Sequence, residues 1–171
     1  MSFRFRLTVL NLGYTKLTGG DRPMSRLPSL TSLVLDGCQW LTDAGLDHLL
    51  KSWPNLKSLS LMHSHIMGRS ICTPCPRLEQ LNLCNCRRIT DQGLDNLLTL
   101  WGSELKEIGL EYTLIFGDLK TTSACPRLEK LNLRDCLSLT DSGLNRLLQL
   151  CNNSLQGWKL LSCSHGQQLS Q

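Results

Sequence analysis

Apolar residues along this chain recur in short bursts that follow one template, L-x-x-[LIW]-x-L, beginning at Leu7, Leu30, Leu56, Leu78, Leu105, Leu128 and Leu155. Inside each burst the fourth and sixth places are apolar and mostly polar residues stand between them, the period of two that predicts a strand. The spacings are 23, 26, 22, 27, 23 and 27 residues, so short and long units alternate and the repeated object is a pair of about 50 residues. The stretches LEQLNLCNCRRITDQGLDNLL from Leu78 and LEKLNLRDCLSLTDSGLNRLL from Leu128 are near copies one pair apart.

Strands separated by more than twenty residues are not joined by tight hairpins, and the intervening segments are long enough to return each strand parallel to the last. In the long units those segments read LTDAGLDHLL, ITDQGLDNLL and LTDSGLNRLL. Asp43, Asp91 and Asp141, or the Thr before each, can cap a helix there. Leu46, Leu49 and Leu50 then share one helical face, turned to the core. Gly45, Gly93 and Gly143 fall in the first turn, where a side chain would obstruct the approach of helix to strand. The short units carry Gly-, Ser-, Thr- and Pro-rich stretches such as IMGRSICTPCP, which predict irregular turns instead. A single unit cannot hide its own apolar face, so stacking must supply the core.

The ninth place of each unit holds Thr15, Cys38, Ser64, Cys86, Thr113, Cys136 and Cys163, all small side chains that fit inside and can bond turn backbone. Four of the nine cysteines are thus assigned by the repeat, and a structural role is expected for them ahead of a redox or metal role.

The pattern L-x-x-L-x-L-x-x-C-x-x-[LI]-T-D-x-G-L-x-x-L-L resembles the cysteine-containing leucine-rich repeat, as in F-box/leucine-rich-repeat proteins. The match is close over residues 30–50, 78–98 and 128–148, and the short units match in the strand portion only. The resemblance implies an α/β leucine-rich-repeat solenoid: a curved horseshoe of about seven repeats in alternating short and long pairs. Parallel strands would line the concave face, and short helices and irregular turns the convex one. It also implies a receptor that presents target proteins to a cullin-based ubiquitin ligase. Members of that group grip the ligase adaptor through an F-box ahead of the repeats. Here the repeats start by Leu7, so adaptor contact is expected only through an F-box absent from this chain. A repeat-only scaffold or inhibitor with no ligase link is the alternative. Residues 1–163 read as one solenoid and 164–171 as a polar, disordered tail.

Composition narrows the function classes. Eighteen Lys and Arg against fourteen Asp and Glu leave a formal charge of +4, too slight and dispersed to argue for nucleic acid. No apolar run is long enough to span a bilayer, and MSFRFRLTVLNLG lacks the apolar core of an export signal. An intracellular protein, cytoplasmic or nuclear and with reduced thiols, is expected, and the sequon at Asn152 is expected to be unused. His63 and His65 flank Ser64, but adjacent residues point apart and seldom form a triad. The run Cys72-x-x-Cys75 with Cys84 and Cys86 fits zinc poorly, because Cys86 belongs to the interior register while Cys84 faces outward. No phosphate-cradling glycine loop occurs, so no cofactor, metal or enzymatic activity is expected.

What remains is surface. The third, fifth and seventh places of each unit alternate away from the buried leucines and line the concave face. Asp36, Met62, Gln80, Asn82, Glu107, Glu111, Lys130, Asn132, Arg134 and Lys159 are the candidate protein-binding residues there. Glu107 and Glu111 are expected beside Lys130 and Arg134, one strand on at roughly 5 Å. Tyr14, His63 and Tyr112, just past strands, are candidate rim anchors, since aromatics and Met commonly anchor protein contacts. The identity of the bound protein is not written in these positions.

Overall fold

The computed structural model describes residues 6–20, 25–122, 125–151 and 157–159. Seven three-residue strands stack in sequence order into one parallel sheet: β1 (Val9–Asn11), β2 (Ser32–Val34), β3 (Ser58–Ser60), β4 (Gln80–Asn82), β5 (Glu107–Gly109), β6 (Lys130–Asn132) and β7 (Gly157–Lys159). The register runs straight through the stack, Leu10 to Leu33, Leu59, Leu81, Ile108, Leu131 and Trp158. The fold is therefore the leucine-rich-repeat solenoid, with an open sheet rather than a closed barrel.

Among the described residues three helices lie on the other side, α1 (Asp43–Leu50), α2 (Asp91–Trp101) and α3 (Asp141–Leu150), one in each long unit. Thr42, Thr90 and Thr140 are the N-caps, each hydroxyl accepting from the glycine amide three residues on. Among the described residues the short units keep no helix, as their turn-rich composition predicts. Between sheet and helices runs one core in which Leu46, Leu49 and Leu50 are fully buried with the strand leucines. Trp53 and Trp101 are its largest members, and each indole N–H reaches a carbonyl of the preceding helix-free loop, Ser25 O at 3.2 Å and Thr73 O at 3.0 Å.

The first-turn glycines serve a different contact from the one expected. A β-carbon on Gly45, Gly93 or Gly143 would meet the carbonyl of Thr18, Met67 or Phe116 in the preceding short unit, not the strand. Those loops turn on Gly19, Gly68 and Gly117, all at positive φ.

The aspartates that open the helices are not the caps; they reach forward. Asp43 accepts from the amides of Met67, Gly68, Arg69 and Ser70 at 2.9–3.2 Å. Asp91 does the same for Phe116, Gly117 and Asp118. Four residues on, Asp47 takes Cys72 and Thr73, and Asp95 takes Lys120 and Thr121. In the other direction, Asn96 donates to the carbonyls of Gly68 and Ile71, and Arg146 to those of Leu119 and Thr121. A helical unit thus satisfies the polar backbone of the helix-free loops on both sides, which buried or half-buried loops require. This coupling gives the 50-residue pair a physical reason: the helix-free unit depends on its neighbours.

The ninth-place residues are buried at Cys38, Ser64, Cys86, Thr113 and Cys136, whereas Thr15 at the first unit is exposed and Cys163 lies outside the described residues. The thiols of Cys38, Cys86 and Cys136 donate to Leu12, Leu61 and Leu110 carbonyls at 3.2, 2.9 and 3.0 Å. Thr15, Ser64 and Thr113 stand 3.7, 3.5 and 3.5 Å from those same sulfurs, so hydroxyl and thiol pair across each short-to-long junction. The tail 164–171 and Asn152 lie outside the described residues.

Candidate protein-binding face

Outward-facing strand residues build a groove of ≈ 670 Å³ on the sheet between β3 and β6. Six of the ten concave candidates line it: Gln80, Asn82, Glu107, Glu111, Lys130 and Asn132. Asp36, Met62 and Arg134 lie outside that lining. Lys159 sits on β7, and its side chain lies outside the described residues.

Several of these side chains already have structural partners. Asp36 accepts from Ser60 Oγ at 2.6 Å and the Met62 amide at 3.0 Å, tying β2 to β3. The Asn82 and Asn132 carbonyl oxygens accept from the amides of Cys84 and Arg134 two residues on, closing the ends of their strands. Asn11 closes β1 on Gly13 in the same way.

The acidic and basic ladder is half as expected. Lys130 Nζ meets Glu107 Oε2 at 3.5 Å, a solvent-exposed pair worth about 0–1 kcal/mol. Glu111 does not meet Arg134. Its Oε1 accepts from Asn132 Nδ2, and Arg134 Nε turns to Asp135 Oδ2 at 3.2 Å. The reason is local: strand pairing ends at the fifth place, on Gly109 and Asn132, so seventh-place residues already lie in the turn. Glu111 Oε2 is buried and has no hydrogen-bond partner among the described residues. Cys84, half-buried next to it, has its thiol pushed up to about 11 by burial and by the Glu111 charge.

Past each of β1 to β6 the eighth residue of the unit adopts left-handed backbone: Tyr14, Gly37, His63, Asn85, Tyr112 and Asp135 all have φ between 55° and 66°. The three rim candidates occupy this position. Tyr14 is exposed and its ring lies over Gly37, where a β-carbon would come within 2.4 Å of it. Asn85 Nδ2 donates to His63 Nδ1 at 2.6 Å, and Arg87 Nε donates to Asn85 Oδ1 at 2.8 Å. Tyr112 bonds the Asp135 carboxylate, which raises its phenol above the ordinary value. With Trp40 and Leu137 exposed on the same turns, the rim is amphipathic.

The His-Ser-His string does not converge among the described residues. Ser64 is buried against Cys86 while His65 is exposed and His63 bonds Asn85, so no base meets the hydroxyl. Among the described residues no three His, Cys, Asp or Glu side chains converge to hold a metal ion. Among the described residues, too, no helix is long and apolar enough to cross a membrane.

Sequence reasoning missed two features of the face. The gap at Gly109 and the unmet Glu111 oxygen arise from one missing side chain in the fifth-place column, which otherwise reads Asn11, Val34, Ser60, Asn82, Asn132 and Lys159. The left-handed eighth place was hidden because a single glycine, Gly37, marks it among the six described repeats.

A family model described as a leucine-rich repeat matches residues 26–50, which span β2 and α1. No curated protein matches the chain. The solenoid and that repeat together define the fold class, a leucine-rich-repeat solenoid, and suggest a protein-protein interaction module.

Proposed function

We propose that the chain holds a target protein against its concave face, as the substrate-recognition repeats of an F-box-type ubiquitin ligase receptor. The observation that carries the binding part is the groove between β3 and β6, lined by polar and charged side chains over the strand backbone and flanked by an amphipathic rim. Aromatic residues such as Tyr14, Trp40 and Tyr112, exposed on that rim, are enriched at protein-contact surfaces. The ligase part rests on the resemblance of the cysteine-ended long units to the repeats of those receptors. A repeat-only scaffold or inhibitor is the second reading, favoured by the same groove without that resemblance.

Affinity capture from cells with the intact chain tests both, set beside a Ser58→Tyr/Gln80→Tyr variant that fills the groove and a control changed on the outer side at Arg69→Glu. A partner retained by the control and lost by the groove variant is the expected result. Its abundance is expected to rise when cullin-based ligases are inhibited. A partner whose abundance is indifferent to that inhibition favours the scaffold, and capture indifferent to the groove variant sinks the concave reading.

A further inference from the structure

We infer that the groove over Gly109 receives the cationic end of a lysine or arginine side chain from an extended segment of the bound protein, with Glu111 as its counter-ion. This rests on the concave-face reading and narrows it to a partner chemistry.

The geometry begins with an absence of side chain. Gly109 pairs in register with Asn82 on one side and Asn132 on the other, so the sheet has a gap flanked by two amides. Acceptors lean over that gap. A β-carbon built on Gly109 would lie 2.9 Å from Glu111 Oε2 and 3.2 Å from Asn82 Oδ1. Among the described residues no donor answers the first of them, for Oε2 is buried without a hydrogen-bond partner. An ionised carboxylate can accept about four hydrogen bonds. This one receives a single side-chain bond, from Asn132. Leaving a buried charged acceptor unmet is costly, and a donor from a partner would relieve it.

Charge points the same way. Glu107, Glu111 and Lys130 are the ionisable side chains of the groove lining, and Lys130 sits against Glu107. Among the described residues the uncompensated charge of the groove is therefore the Glu111 carboxylate. Its terminal torsion is broad and roughly two-fold, so the carboxylate can turn its oxygens toward an incoming ammonium or guanidinium without leaving its place over Gly109. Those ligands bring several donors and a full positive charge, and charge-assisted bonds are the strong ones. The groove volume, ≈ 670 Å³, is that of a small-molecule cleft and leaves room for the end of one long side chain.

Synthetic peptide pools, degenerate except for one fixed central residue, supply the probe: lysine, arginine, norleucine or glutamate. Their affinity is read by fluorescence polarisation against the intact chain and against Glu111→Gln, Gly109→Val and Lys130→Gln. The expected result is a preference of about tenfold for the lysine or arginine pool over norleucine. Glu111→Gln is expected to erase that preference while norleucine binding persists, and Gly109→Val to weaken every pool. Lys130→Gln, which leaves Glu111 in place and frees Glu107, is expected to strengthen the preference, and it keeps the test decisive if Glu111→Gln fails to fold. Equal binding of lysine, arginine and norleucine pools overturns the cation while leaving the concave reading intact, as does a preference that survives Glu111→Gln. Binding of no pool overturns the extended-segment inference, and the capture experiment above then decides separately whether the face binds folded protein.

Discussion

The carbonyl oxygen of Met67 stands 1.8 Å from the point that the β-carbon of an alanine at Gly93 would occupy. Thr18 and Phe116 hold the same place over Gly45 and Gly143, each at 2.0 Å. Backbone lies against backbone here, so no flexible side chain can yield. In an ordinary helix a glycine-to-alanine change gains about 1 kcal/mol. At Gly93 the sign reverses: Gly93→Ala is expected to cost about 3 kcal/mol through overpacking. Urea denaturation of Gly93→Ala beside a Ser142→Ala control checks it, and a neutral Gly93→Ala result would mean that helix and loop are not in contact.

Acid should loosen the same junction from its other side. Asp47 is buried, and burial alone would raise its carboxyl; the Cys72 and Thr73 amides and the Lys51 ammonium, 2.9 Å away, hold it at about 2, against 3.8 for the ordinary group. A depressed carboxyl contributes stability above its unfolded value and loses it as pH falls toward the folded one. That contribution, about 1–2 kcal/mol, is therefore present above pH 3.8 and lost between there and pH 2. Asp47→Asn is expected to be less stable than the parent at pH 6 and equal to it near pH 2. Urea midpoints across that range give the comparison, and a constant gap would show that charge is not what Asp47 contributes.

Much of this was legible because the leucine-rich template fixes which residues point inward: the strand leucines, the helix stripe of Leu46, Leu49 and Leu50, and the cysteines after the strand are buried as the period demands. The repeat-to-repeat clamps were present in the sequence as recurring aspartates and glycines, Asp43 with Gly68 and Asp91 with Gly117, but reading them needed the distance between loops. The Glu111–Arg134 pair failed for a definite reason. Ladder logic holds only where strands are paired, and the seventh place has left the sheet. Gly109 was visible as a letter, while its effect on Glu111 depended on how a flexible side chain fills a vacancy.

The eighth-place turn makes Tyr112 a test of backbone rather than of contact. At φ 57° a β-branched residue is strongly disfavoured, whereas asparagine and glycine are tolerated. Tyr112→Val is expected to lower stability by about 1–2 kcal/mol. Tyr112→Asn, which also removes the bond to Asp135, is expected to lower it less. Thermal or urea unfolding separates them. Should valine and asparagine destabilise equally, the aromatic ring and its hydroxyl, not the turn, would be what position 112 supplies.

Thiol chemistry reads the charge in the groove directly. Cys84 is raised first by burial and then by the Glu111 carboxylate, to about 11, so at pH 9 only a small fraction is thiolate. The thiolate is the reacting species, and a drop in pKa at fixed pH multiplies its population. Glu111→Gln is therefore expected to speed alkylation of Cys84 several-fold at pH 9. Cys75, held near 12 chiefly by burial, is expected to stay unreactive until unfolding, and exposed Cys72 to label first among these three in both proteins. Site-resolved mass spectrometry of iodoacetamide adducts follows each cysteine separately. An unchanged Cys84 rate would mean that Glu111 carries no charge where the groove needs one, and with it would go the cation that the groove is inferred to hold.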